Sequence, residues 1–81
     1  MYLEELHQLL TAVQSGLADG RAHTEQARSL LEEARRAIVD PQAQAVPWVP
    51  SQLAQADEGI ENLLTRLSAA DDLVSGYQSR L

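Results

Sequence analysis

Cysteine is absent from the 81 residues, which removes disulfides and thiolate zinc sites as supports for a chain this short and leaves its redox compartment unreadable. Lysine is absent as well. All six basic residues are arginines, set against twelve carboxylates, for a formal charge of −6. A chain with that balance and no basic stripe has little to exchange for the counterions of a phosphate backbone, so nucleic-acid binding is not expected. Anionic membrane surfaces are disfavoured for the same reason. No apolar run approaches the ~20 residues of a membrane span. The start, Met1-Tyr2-Leu3-Glu4-Glu5, is acidic where a secretory signal would be basic and then apolar. The expectation is a chain without a membrane span, cytoplasmic, with signal-peptide-independent export as the alternative.

Groups that do chemistry are equally scarce. The serines at 15, 29, 51, 68, 75 and 79 have no neighbouring base, and no glycine-rich phosphate loop is present. Glu4-Glu5-Leu6-His7 contains Glu-x-x-His, the spacing by which ferritin-like helices supply di-iron ligands. That site also needs carboxylates directed into a bundle core and a second ligand set. Here the core positions are leucines and the second half of the chain has no histidine. His7 and His23 lie sixteen residues apart and read as surface or interface side chains. No catalysis, cofactor, metal or small-molecule ligand is therefore expected.

What the chain does have is a sustained helical repeat. Apolar residues recur in alternating steps of three and four through Leu3, Leu6, Leu10, Val13, Leu17, Gly20, Thr24, Ala27, Leu31, Ala34 and Ile38. They recur again through Leu53, Ala56, Ile60, Leu63, Leu67, Ala70, Val74, Tyr77 and Leu81. As heptad a and d positions, these series describe helices packed side by side with a left-handed twist. Alternation by two, the mark of a strand, is missing. The fold class is all-α. Gly16 and the Asp19-Gly20 pair cost a helix roughly 2 kcal/mol relative to alanine, yet the repeat crosses them without a skip. A single helix over 2–39 follows, with a three-helix bundle broken near Gly20 as the alternative.

The connector runs from Asp40 to Pro50. Pro41 disfavours helical geometry at Asp40 and ends the first helix; Pro47 and Pro50 keep the chain extended up to Ser51, the expected N-cap of a second helix over 51–81. The whole is one domain, 1–81, folded as an antiparallel helical hairpin. Its register sets Gly20 near Ala70, Leu31 near Ile60 and Ile38 near Leu53. Charge pairs Glu25–Arg28, Arg28–Glu32, Glu32–Arg35 and Glu32–Arg36 fit a solvated helix face.

Two features point outward. The first helix overhangs the second by about two turns, on the order of 12 Å, and carries Tyr2, Leu3, Leu6 and Leu9 on the overhang. Leu9, Leu30, Leu64 and Leu73 flank the seam and widen each apolar face beyond what one partner helix covers. Dimerisation into a four-helix bundle, with itself or with another hairpin, is the expected outcome. Trp48, in Val46-Pro47-Trp48-Val49-Pro50, is read chiefly as a plug folded back over Ile38 and Leu53, and alternatively as a docking residue on a proline-stiffened loop. The partner interface is thus expected at Tyr2, Leu3, Leu6, Leu9, Leu30, Leu64, Leu73 and Trp48.

A tryptophan in the turn between two helices resembles the small Trp-x-Gly proteins exported by type VII secretion systems, which form homo- or heterodimeric four-helix bundles. In this chain Val49 and Pro50 follow Trp48 where that family has its glycine, and Tyr77 is followed at four residues by Leu81 where its export signal has an acid. The stretch Ile60-Glu61-Asn62-Leu63-Leu64 through Tyr77-Gln78-Ser79-Arg80-Leu81 also resembles helical leader segments of actinobacterial polymorphic toxin-like proteins, which implies an adaptor or targeting role. The expected function is a non-catalytic protein–protein interaction module: a small adaptor, chaperone-like or secretion-associated hairpin. The alternative is a regulatory hairpin of the anti-sigma or antitoxin type that masks a basic surface.

Overall fold

The computed structural model describes residues 2–81 and contains two helices, α1 (Tyr2–Val39) and α2 (Ser51–Ser79), with no strand among the described residues. They form an antiparallel hairpin 65 Å long and 15 Å in each other dimension. α1 passes through Gly16 and Gly20 without interruption, so there is no third helix among the described residues. The propensity cost of two glycines is spread over 38 residues, and the packing stripe on either side holds the helix together. Among the described residues no helix is long and apolar enough to cross a membrane.

α1 ends where Pro41 dictates. The Asp40 N–H donates to the Arg36 carbonyl at 2.8 Å, and a tighter turn then brings the Gln42 N–H to the Val39 carbonyl at 2.9 Å. At the start of α2, Pro50 takes the N-cap place with φ −57° and ψ 136°, and no side chain caps the helix. Ser51, expected as the cap, is instead the first helical residue. The fixed φ of proline suits the entry, and the Pro50 carbonyl accepts from the Leu53 N–H at 3.0 Å. α2 stops at Ser79, two residues before the expected end. Arg80 and Leu81 leave through tight bonds to the Tyr77 and Gln78 carbonyls.

Three side-chain bonds tie the helices together and fix their register. Gln78 Nε2 donates to Thr11 Oγ1 at 3.3 Å, Gln14 Nε2 to Ser75 Oγ at 2.8 Å, and Arg28 Nη2 meets Glu61 Oε1 at 2.8 Å. Each step forward on α1 is matched by an equal step back on α2, within a residue or two of the register expected from the heptads. Arg28 therefore reaches across the hairpin, and the expected pairs Glu25–Arg28 and Arg28–Glu32 do not form. Glu25 pairs with Arg21 at 3.9 Å, while Glu32 keeps Arg35 at 3.8 Å and Arg36 at 3.7 Å.

The seam holds half-buried Leu6, Leu10, Gln14, Leu17, Gly20, Leu31 and Ile38 from α1, and Leu53, Ile60, Leu64, Leu67, Ala70, Val74 and Gln78 from α2. Among the described residues no apolar side chain is fully buried; Thr24, at 9% exposure, is the one buried residue. Its hydroxyl donates to the Gly20 carbonyl at 2.7 Å. A methyl added at Gly20 would sit 3.9 Å from Leu67 Cδ2, so Gly20 packs directly against the facing helix.

Candidate functional site

Two helices can cover only part of each other, and the part they cover here is off-centre. On α1 the a positions face α2. Beside them run two flanking stripes: the polar e positions (His7, Gln14, Arg21, Arg28, Arg35) and the d and g positions (Leu6, Val13, Gly20, Ala27, Ala34 with Tyr2, Leu9, Gly16, His23, Leu30, Ala37). The polar flank is the one that pairs. Thr11, Gln14 and Arg28 all reach α2 from it. α2 answers in kind, presenting half-buried Asp57, Leu64, Asp71 and Gln78 to that side.

The seam is accordingly rotated from the symmetrical a/d position. Gln14 and Gln78 take the half-buried places expected for Val13 and Tyr77, which are exposed. Leu63 and Leu64 exchange roles in the same way: Leu64 is half-buried in the seam, and Leu63 stands 45% exposed. Adjacent leucines fit a three-four repeat equally well. What decides between them is that long polar side chains on one flank can hydrogen-bond across the groove, and apolar ones on the other flank cannot.

The unpaired flank is a predominantly apolar face. Leu9, Val13 and Leu30 from α1 lie beside Leu63, Leu73 and Tyr77 from α2, all exposed, with Leu73 at 76%. At the open end Tyr2 and Leu3 extend it along the overhang, since α1 has 38 residues and α2 has 29. Eleven of the twelve carboxylates lie in the helices, and none occupies a d or g position of either one. The basic side chains on the face are His23, Arg66 and Arg80. An acidic chain thus carries one side cleared of acid. Single exposed leucines are ordinary, but contiguous apolar patches of this kind mark contact surfaces.

Of the eight expected interface residues, the structure brings Tyr2, Leu3, Leu9, Leu30 and Leu73 to this exposed side. Leu6 is half-buried at its edge, and Leu64 turns toward the polar flank. Trp48 does not plug the hairpin: it is 67% exposed. Gln42 occupies that closing position through hydrogen bonds. Its Nε2 donates to the Ile38 carbonyl at 2.9 Å and the Trp48 carbonyl at 2.7 Å, and its Oε1 accepts from the Trp48 N–H at 2.7 Å. A glutamine four residues past Ile38 satisfies a helix-end carbonyl and at the same time pins the tryptophan's backbone, leaving the ring outside.

On the opposite side, shallow grooves run between the helices, lined by Leu17, Arg21, Glu25, Leu67 and Asp71, and further along by Arg28, Glu32, Asp57 and Glu61. Arg21 pairs there with Glu25 and Arg28 with Glu61, while Glu32 turns to Arg35 and Arg36. Among the described residues no three histidine or carboxylate side chains converge in a way that could hold a metal ion. No protein-family model, curated protein or solved structure matches the chain.

Proposed function

We propose that the protein is a non-catalytic interaction module whose working surface is the d/g face of the hairpin, and that its partner is helical. The observation that carries this reading is the sidedness: polar bonds hold the two helices together along one flank, while the other is apolar, free of carboxylate and uncovered. Burial of apolar surface is worth roughly 25 cal/mol per Å², so such a face is a standing driving force for association. Helices suit it because its ridges recur at heptad spacing along two parallel rows. An adaptor, a chaperone-like partner or a secretion-associated hairpin of the Trp-x-Gly kind would each work through it. A regulatory hairpin that masks a basic surface would work through the other flank, where Glu25, Glu32 and Glu61 already hold arginines. That makes it the weaker reading.

The test is a photo-crosslinking residue placed at Leu30 or Leu73 and, separately, at Ser29 or Asp72. Discrete adducts are expected from the first pair and not from the second. Adducts from both pairs alike, or from neither, would overturn the proposal.

A further inference from the structure

Resting on that reading of the face, we infer that its occupant is a second copy of this chain, stacked face to face with its turn at the opposite end and the two-fold axis passing beside Gly20 and Ala70. Area is the first support. The chain exposes 6226 Å², whereas a compact monomer of 8.9 kDa exposes about 4,800 Å². The surplus, about 1,400 Å², exceeds the ~800 Å² per partner of a standard stable interface. Charge is the second. Two copies at −6 would repel, but the face they share carries no carboxylate, so the acids of both stay on the outer flanks. The exposed Arg66 and Arg80 at its g edge keep their guanidinium groups in water beside the contact.

Shape fixes the direction. On the d positions of α1 the face is bulky at the open end and small toward the turn: Leu6 and Val13 give way to Ala27 and Ala34, while Leu9 and Leu30 on the g stripe are matched in size. Reversing the second copy about Gly20 lays α1 on its own equivalent, with Leu6 over Ala34, Val13 over Ala27 and, one residue off that centre on the g stripe, Leu9 beside Leu30. α2 does the same about Ala70, with Tyr77 over Leu63. Small residues at the axis allow close approach at the one level where identical residues must meet. The arrangement also covers both overhangs, because residues 2–6 of each copy then lie along the turn half of the other. With the turns at the same end, each overhang would project past the partner's α2 and stay bare. An isologous contact of this kind is closed at two copies.

The chain has no cysteine, so single cysteines report the geometry cleanly. Purified protein is expected to sediment at twice its chain mass. Leu9→Cys mixed with Leu30→Cys and treated with a short bis-maleimide is expected to give a crosslinked heterodimer, with neither variant crosslinking to itself. Ser29→Cys, on the other flank, serves as the control and is expected to stay uncrosslinked. Self-crosslinking of Leu9→Cys, or failure of the mixed pair in a protein that sediments as a dimer, would overturn the antiparallel stack. A folded monomer whose Leu73 photo-adduct contains a different protein would overturn the second copy while leaving the interaction face in place. A folded monomer with no adduct at all would remove both.

Discussion

Gln42 does the work that a sequence reading assigns to Trp48. Nothing about a lone glutamine in a polar connector marks it in advance; its role appears only when the carbonyl of Ile38 and the backbone of Trp48 come within reach of one amide. Removing it by Gln42→Ala exposes those backbone groups to water rather than burying them, so the cost is expected to be about 1 kcal/mol. The larger effect is local. Trp48 fluorescence anisotropy should fall as the loop loosens, and anisotropy equal to that of the wild type would show that the prolines alone hold it. Gly76 offers the converse test. Its surroundings are open, with nothing within 4 Å of an added methyl, and it lies on neither the seam nor the apolar face. Gly76→Ala should stabilise α2 by about 0.5–1 kcal/mol, read as a rise in the thermal midpoint; a lowered midpoint would contradict the open geometry.

At the scale of the helices, the heptad pattern was legible from the residues alone, and so were the proline-bounded turn and the uninterrupted passage of α1 through Gly16 and Gly20. The choice of flank was not. Leu63 and Leu64, Val13 and Gln14, and Tyr77 and Gln78 lie about 100° apart on the wheel, on either side of the a stripe; apolar periodicity does not choose between the two leucines and favours the wrong member of the other two pairs. Which of each pair turns inward depends on what the other helix presents, a through-space fact set by bonds such as Gln14 to Ser75. The absence of acid from the d and g stripes, by contrast, stands in the sequence and acquires meaning only once those stripes are seen to share one side. Helix separation makes its own prediction at Gly20. An alanine there meets Leu67 at an ordinary contact distance of 3.9 Å and gains helix propensity. Gly20→Leu has no room and should wedge the helices apart, costing about 1–3 kcal/mol. Thermal melts followed by circular dichroism should place the alanine variant at or above the wild type and the leucine variant clearly below; equal midpoints would mean the helices do not close at this level.

The whole molecule is long and thin for its mass. Its radius of gyration is 18.7 Å, against about 12 Å for a compact chain of this length, and it has no fully buried apolar residue among those described. Half-buried seams contribute less than a core does, exposed ion pairs such as Arg28–Glu61 add at most about 1 kcal/mol, and the conformational entropy lost in ordering two long helices is undiminished. If a second copy covers the apolar side as proposed, the hairpin draws part of its stability from that contact, and folding and association become one equilibrium. For a dimer that unfolds to two separate chains, each tenfold dilution weakens the apparent stability by about 1.4 kcal/mol. With an enthalpy proportional to the two chains together, this corresponds to a fall of about 4–5 °C in the midpoint per decade of concentration. Melts at several concentrations across the micromolar range should show that slope, with helicity and mass lost in the same step. A midpoint that does not move with concentration would mean that the narrow seam suffices alone, and that the apolar face awaits a different molecule.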